Sequence, residues 1–170
     1  MIVEAARYGD QNAMDELTRR TYDSVERFCS VMGSKQDSQD LAQETFLRAL
    51  KGKVRMIETD NLEAFMISIA KCVCSDWIKA KNKTVQLYSN LKSNRISQSF
   101  IDEIDMSEQM LETLDLDARE IILLNVILGF SYQDCSDILG IPTGTVRSRI
   151  SRAKDSLKRN SKLGNLLSMN

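Results

Sequence analysis

Residues 131–150 read SYQDCSDILGIPTGTVRSRI, and this segment decides the fold of the region around it. Ser131 followed by Asp134 is a pair that can cap the start of a helix. Gly140 suits the left-handed residue that ends a helix, and Pro142 prevents that helix from continuing. The segment therefore predicts two short helices joined by a tight turn.

The two predicted helices each have an apolar face. Thr143 is expected to cap the second helix by accepting hydrogen bonds from its first free amides. The inward positions of that helix recur at helical spacing and are Val146, Ile150, Ala153 and Leu157. The expected inward positions of the first helix are Tyr132, Cys135, Ile138 and Leu139.

The opposite face of the second helix is polar and basic. Its residues expected to contact DNA are Thr143, Thr145, Arg147, Ser148, Ser151 and Arg152. Arginine presents a planar donor fork that suits guanine edges or phosphates, and serine is a short, adaptable partner. A recognition helix lying in the major groove has this composition. The alternative is an amphipathic helical hairpin with a solvated basic face, but turn, apolar stripe and basic face together favour DNA binding.

Length and composition narrow the class of protein. The chain has 170 residues, enough for one ordinary domain or two small ones. One proline, seven glycines and 6% aromatic residues make an all-β fold improbable. We find no apolar run that could span a bilayer and no secretory signal in the first ten residues. Histidine, the usual general base and commonest metal ligand, is absent, so a hydrolytic enzyme is disfavoured and no metal site is expected.

The four cysteines indicate free thiols in a reducing cytoplasm, since no export signal accompanies them. Cys72 and Cys74 are two residues apart, about 200° around a helix, and cannot share one metal ion. Cys29 and Cys135 lie in apolar stripes. We therefore interpret the cysteines as buried structural thiols rather than redox sensors.

Helical periodicity extends over most of the chain. Asp10 is a candidate N-cap for the first long helix, and Asp60 with Glu63 forms a capping-box variant that opens a helix ending near Ala80. The helices are predicted at 11–32, 38–51, 60–80, 107–114, 117–128, 131–139 and 143–160. The apolar run 121–128 is compatible with a buried strand by composition, but its neighbours favour a helix.

These elements predict an all-α fold of two small helical domains joined by a flexible linker, the C-terminal domain being a helix-turn-helix. Residues 81–105 are rich in serine, asparagine and lysine, which is typical of a linker. The expected division is 1–83 for the first domain, 84–106 for the linker, 107–162 for the second domain and 163–170 for a tail.

The net charge of −1 conceals two segments of opposite sign. Residues 101–120 contain Arg119 and eight acids: Asp102, Glu103, Asp105, Glu108, Glu112, Asp115, Asp117 and Glu120. Residues 143–162 contain Asp155 and seven bases: Arg147, Arg149, Arg152, Lys154, Lys158, Arg159 and Lys162. The basic segment indicates a local polyanion-binding surface. The acidic segment is hypothesised to keep the free protein off DNA or to contact a partner.

Three motifs together resemble a known family. Residues 37–49 read DSQDLAQETFLRA, residues 128–154 contain LGFSY, GIPTGTVRSR and RAK, and residues 61–77 run from NLEAF through IAK to DW. In this order they resemble the extracytoplasmic-function (ECF) sigma factors of bacterial RNA polymerase, over roughly residues 8–83 and 107–160. Departures are few: Phe65 replaces a common tryptophan, and the basic run after the third motif is reduced to Lys79, Lys81 and Lys83.

The resemblance implies a sigma factor, not an enzyme, that binds core RNA polymerase and directs promoter-specific initiation in the cytoplasm without a cofactor. It assigns binding of the polymerase clamp to Asp37, Asp40, Gln43 and Glu44. It assigns reading of the −10 element to Asp60, Asn61, Lys71 and Lys79, with the loop 52–61 holding a flipped base. The −35 element would be read by the recognition helix, and the linker would thread the RNA exit path. The implied partners are core polymerase, double- and single-stranded promoter DNA, and an anti-sigma factor.

Two other classes of protein remain as alternatives. A stand-alone transcriptional regulator with a C-terminal helix-turn-helix would carry a ligand-binding or phosphoacceptor domain in its N-terminal half, and the motif at 37–49 argues against this. A sigma-like decoy would retain the clamp motif without promoter-specific initiation.

Overall fold

The structure, a computed structural model, describes residues 2–52, 61–89 and 110–167, with side chains described up to residue 83 in the second range and 159 in the third. Every regular element in these ranges is helical. They are α1 (Ile2–Arg7), α2 (Gln11–Met32), α3 (Ser38–Lys51), α4 (Leu62–Ser89), α5 (Leu116–Ile122), a π-helical turn (Leu123–Ile127), α6 (Tyr132–Leu139) and α7 (Thr143–Leu167). The predicted all-α class is confirmed. Within these ranges, no helix combines the length and apolar character needed to cross a membrane.

The N-terminal half packs α1, α3 and α4 around α2. The Asp10 carboxylate accepts a hydrogen bond from the Ala13 amide, which confirms the predicted cap of α2. At the end of α3, Gly52 adopts the left-handed conformation with φ 67°, so this helix stops where the sequence predicted. Leu17 and Phe28 of α2 are fully buried and form the centre of this half.

Helix α4 differs from its prediction at both ends. Asn61 caps it, since the side-chain oxygen accepts hydrogen bonds from the Glu63 and Ala64 amides. The predicted cap, Asp60, lies outside the described residues. The helix continues to Ser89, beyond the expected end near Ala80, because the intervening sequence contains neither proline nor glycine. The first residues assigned to the linker, 84–89, are therefore helical, whereas 90–106 lie outside the described residues.

The C-terminal half is built from α5, the π-helical turn, α6 and α7. The apolar run is helical from 121 to 127, one residue short of its predicted end at 128, and buries Ile121 and Leu124 completely. The side-chain nitrogen of Asn125 donates a hydrogen bond to the Phe130 carbonyl at 2.8 Å, which stabilises the bend that follows the π-helical turn. Helix α7 reaches Leu167, past its predicted end at 160 and into the expected tail.

The helix-turn-helix forms as its sequence predicted, with two corrections. Ser131 and Asp134 make a full capping box, and Gly140 ends α6 at φ 67°. Thr143 is not the cap of α7 but its first residue, because the Pro142 carbonyl already accepts the Thr145 amide. Tyr132, expected to point inward, remains 38% exposed.

The two halves contact each other. Helix α4 packs against α6, and α2 contacts α5. In the part of the chain that the structure describes, the polar contacts between the halves include one from Asn61 to Asp134 and one from Lys71 to Glu120. We call this contact region the seam.

Candidate polymerase and nucleic-acid surfaces

The recognition helix α7 separates an apolar from a polar face. Val146, Ile150 and Ala153 are at most 2% exposed, which confirms the predicted inward stripe. The residues expected to contact DNA lie on the outer surface, with Thr145 half-buried: Thr143, Thr145, Arg147, Ser148, Ser151 and Arg152. The face is therefore held rigid by the core beneath it and is accessible to a ligand.

Tyr132 contributes to this outer face. The Arg147 guanidinium lies over the Tyr132 ring, 5.8 Å from its centroid. A cation over an aromatic face is attracted by the ring quadrupole. Tyr132, at the start of α6, thereby restricts the orientation of the Arg147 guanidinium. Sequence reasoning missed this role because a tyrosine at helical spacing is more often a core residue.

The acidic edge of α3 contains the residues assigned to the polymerase clamp. Asp40 and Gln43 are exposed, and Glu44 is half-buried. Glu44 accepts a hydrogen bond from Arg48 at 2.7 Å, and Arg48 also bonds Asp76 of α4 at 2.7 Å. These two carboxylates raise the pKa of Arg48. Asp40 and Gln43 are therefore the members of this edge most available to a partner.

Asp37 lies slightly apart from the other clamp residues. Its carboxylate pairs with Lys81 at 3.1 Å, and the same ammonium lies 4.1 Å from the centroid of the Trp77 ring. Trp77 is partly buried against the core. Asp37 thus ties α3 to α4, a structural role that is compatible with binding at its remaining oxygen.

The described residues assigned to the −10 element lie on or next to α4. The Asn61 side-chain nitrogen donates to the Asp134 carboxylate at 3.1 Å, while its oxygen caps α4. Lys71 lies 3.6 Å from the Glu120 carboxylate, and Lys79 is exposed beside the seam. Both Asn61 and Lys71 therefore face acidic groups of the C-terminal half. Sequence reasoning gave no sign of these partners, because the contacts are long-range.

Glu120 lies in an unfavourable environment for a charge. Its side chain is 14% exposed, and burial raises its pKa, with Asp117 adding to the shift. Lys71 and Arg149 oppose the shift, but burial dominates. The pair with Lys71 therefore adds specificity to the seam more than stability.

We expect Glu120→Gln to change how stability depends on pH. A raised pKa in the folded protein means that the contribution of Glu120 is fully present below its unfolded pKa and is lost as the pH rises through the folded pKa. Glutamine does not ionise, so the variant avoids this loss. Urea denaturation between pH 4 and pH 7 should show the variant gaining in free energy of unfolding relative to the wild type as the pH rises. A relative loss on raising the pH would contradict the assignment.

Three of the cysteines are buried and one, Cys72, is exposed. Cys29 on α2 and Cys74 on α4 hydrogen-bond through their thiols, which, with burial, raises the pKa of Cys74. Burial raises the pKa of Cys135 to about 11. The buried placement expected for the cysteines is confirmed for Cys29, Cys74 and Cys135 and is wrong for Cys72, whose position on α4 faces solvent. The raised pKa keeps Cys74 and Cys135 as unreactive thiols.

The fold defines a two-part helical protein with a C-terminal helix-turn-helix. Residues 17–84 match the family described as Sigma-70 region 2, and residues 105–157 match Sigma-70 region 4. The ECF RNA polymerase sigma factor SigC of Mycobacterium tuberculosis is 30% identical over 159 residues, covering 90% of this chain and 85% of its own. EcfG of Rhodopseudomonas palustris is 31% identical over 132 residues, covering 75% and 73%.

Solved structures show the same fold. The sigma factor RpoE of Bartonella quintana, solved with the anti-sigma factor NepR, has a TM-score of 0.71 at 24% identity and covers 88% of this chain and 96% of its own. CnrH, solved with the cytosolic domain of CnrY, has a TM-score of 0.70 at 21% identity, covering 95% and 96%. The chain belongs to the ECF sigma factor family, whose members are transcription initiation factors rather than enzymes.

Proposed function

We propose that this ECF sigma factor binds core RNA polymerase and directs initiation at promoters whose −10 and −35 elements it reads. The observation that carries the proposal is the exposed basic face of α7, backed by a buried apolar stripe. We assign −35 reading to 107–162, −10 reading and polymerase binding to 1–83, and the connection to 84–106.

The −35 element is read by the start of α7 in this proposal. Arg147 supplies two parallel donors, which match the two acceptors on the major-groove edge of guanine. The Ser148 hydroxyl donates to the Thr145 carbonyl at 3.0 Å, leaving its lone pairs free to accept from a base or bridging water. Arg152, one turn beyond Ser148, is placed to bind phosphate.

The −10 element is read by α4 and the segment before it. Lys71 and Lys79 bind backbone phosphates, and the Asn61 nitrogen donates to a base edge while its oxygen continues to cap α4. Asp60 belongs to the same proposed group. An unstacked base needs a pocket with polar edges, which the preceding loop is assigned to provide.

Polymerase joins the two weak promoter contacts. Because the −10- and −35-reading surfaces are held on one polymerase, binding of one element places the other surface at a high effective concentration near its own element. The combined affinity for promoter DNA therefore exceeds that of either surface alone. The sigma factor itself supplies recognition, and the polymerase supplies the catalysis. The anti-sigma complexes of the structural relatives support a further proposed partner, an anti-sigma factor that binds this chain.

The polymerase contact can be tested with a double variant, Asp40→Arg with Gln43→Ala. We expect it to weaken core polymerase binding about tenfold or more, or about 1.4 kcal/mol, because both side chains are exposed on α3. The matched control is Asp23→Arg, which changes one exposed charge on α2. Fluorescence anisotropy of labelled protein with core polymerase gives the affinities. Equal affinity of the double variant and the wild type would contradict the assignment of α3.

Tyr132 provides a test of how Arg147 is positioned. We expect Tyr132→Phe to keep promoter binding near the wild-type level, because the phenyl ring still attracts the guanidinium. Tyr132→Leu should weaken it by about 0.5–1 kcal/mol and relax the preference at the base read by Arg147. Competition binding with base-substituted −35 duplexes measures both. If leucine and phenylalanine behave alike, the ring does not position Arg147.

A further inference from the structure

Helix α1 is anchored in the core but belongs to none of the motifs that identify the family. Its 6 residues, Ile2–Arg7, lie before the segment 17–84 that matches Sigma-70 region 2. Val3 and Ala6 are buried, and the helix packs against α2 and α3. Burial of these apolar side chains fixes α1 to the N-terminal half.

Arg7, the last residue of α1, reaches the end of α3. Its Nε atom donates a hydrogen bond to the Ala49 carbonyl at 2.8 Å. Ala49 lies in the last turn of α3, where carbonyls have no partner within the helix. A cation at this end also opposes the partial negative charge of the helix dipole. Arg7 therefore caps α3 from a different helix, 42 residues away along the chain.

The same guanidinium lies beside the residue at which the chain leaves α3. Gly52 ends the helix in the left-handed conformation. A Cβ atom placed on Gly52 would lie 3.7 Å from Cζ of Arg7, which is van der Waals contact. Arg7 thus packs on the exit from α3 in addition to capping its last turn.

One donor of Arg7 has no acceptor among the described residues. Its Nη2 atom is buried and makes no hydrogen bond in the part of the chain that the structure describes. An unpaired buried donor costs at least as much free energy as the bond from Nε to Ala49 contributes. Stability therefore does not explain the arginine at this position, which favours a role in function.

We propose that Arg7 is a positioning residue for −10 reading. By holding the last turn of α3 and the exit at Gly52, it fixes where the segment 53–60 begins. This role depends on the proposed function, which assigns the flipped −10 base to the loop 52–61. The other end of the segment is fixed by Asn61, whose side chain caps α4. Fixing both ends of a short segment restricts the conformations that it can adopt.

The cap acts on the exit from α3 rather than on the edge assigned to the polymerase clamp. Gln43, the nearer of the two exposed clamp residues, precedes Ala49 by six residues, or about 9 Å at about 1.5 Å per residue. The interaction of a charge with a helix end falls off within the last turn. Loss of Arg7 should therefore change the choice of −10 base and leave polymerase affinity near that of the wild type.

The test compares Arg7→Met with Arg20→Met in the holoenzyme. Methionine is unbranched but has neither the donors nor the charge of arginine. Arg20 lies on α2 with its side chain 49% exposed, so its replacement removes the same charge from an exposed site. Urea denaturation should show both variants folded, since Arg7→Met removes the unpaired donor together with the bonded one.

A second variant, Arg7→Lys, keeps the charge at the end of α3 and remains usable if Arg7→Met does not fold. An ammonium on a flexible stem cannot bond Ala49 and also pack flat beside Gly52. Arg7→Lys should therefore retain wild-type stability but lose base preference.

Base preference is measured with single-stranded DNA. The probe is an oligonucleotide carrying the −10 element of a promoter used by the wild-type holoenzyme, compared with the same oligonucleotide changed at one base at a time. We expect the affinity ratio at the flipped base to fall about fivefold to tenfold in Arg7→Met, the size of one lost hydrogen bond. Arg20→Met should keep the wild-type ratio. Affinities for core polymerase and for the −35 duplex should stay near wild type in all variants.

The outcomes separate this role from the proposed function. If folded Arg7→Met and Arg7→Lys keep the wild-type ratio, Arg7 does not position the −10 segment, and −10 reading itself stands. If the wild-type holoenzyme shows no base preference, the proposed −10 function is wrong and the role of Arg7 falls with it. A matching loss of polymerase affinity would also overturn the proposal, because Arg7 would then act on the whole of α3.

Discussion

Ile150→Asp is expected to unfold the helix-turn-helix. The side chain is 2% exposed in the apolar stripe of α7, so an aspartate there would be a buried charge without a partner. Such changes cost about 4 kcal/mol or more, which is comparable to the whole stability of a small domain. Far-UV circular dichroism should show loss of the helical signal of α5 to α7, and −35-dependent transcription should disappear with it.

The neighbouring residue provides the control for this substitution. Ser151 is exposed, so Ser151→Asp introduces the same charge without burying it, and stability should change by no more than about 0.5 kcal/mol. That variant should remain fully helical yet lose affinity for DNA, because a carboxylate on the outer face repels phosphate. A fully helical Ile150→Asp protein with wild-type stability would contradict the described core.

Arg147→Ala is the substitution with the largest expected effect on promoter choice. Removing a bidentate donor to a base costs about 1–3 kcal/mol of discrimination, or about fivefold to 150-fold in relative affinity. Because Arg147 is exposed and its loss leaves the core intact, the free energy of unfolding should stay near that of the wild type. Competition binding with −35 duplexes that differ at single positions measures the lost preference.

Lys154 serves as the matched control for Arg147. It is an exposed basic residue two turns further along the same helix. Lys154→Ala therefore removes the same charge without changing the start of α7. We expect a smaller loss of affinity, equal across all base substitutions and dependent on salt. An equal loss of base preference in both variants would show that Arg147 contributes charge but not specificity.

Local signals in the sequence were sufficient to predict most helices. Asp10, Ser131 and Gly140 act within one turn of their own positions, so the cap and the turn can be read directly. The end of α4 was missed because serine, asparagine and lysine are common in linkers but do not by themselves stop a helix.

The candidate sites were only partly predictable for a different reason. The exposed face of α7 follows from its own periodicity, whereas the partners of Asn61 and Lys71 lie 73 and 49 residues away along the chain, respectively.

The central claim, that this chain gives polymerase its promoter specificity, is tested most directly by sequencing transcripts. The purified protein is mixed with bacterial core RNA polymerase on a genomic DNA template, and the 5′ ends of the transcripts are mapped. We predict discrete start sites that share two upstream motifs, and loss of those sites with Arg147→Ala. Stable polymerase binding without defined start sites would instead indicate a decoy. Failure to bind an active polymerase would contradict the account and favour a stand-alone regulator.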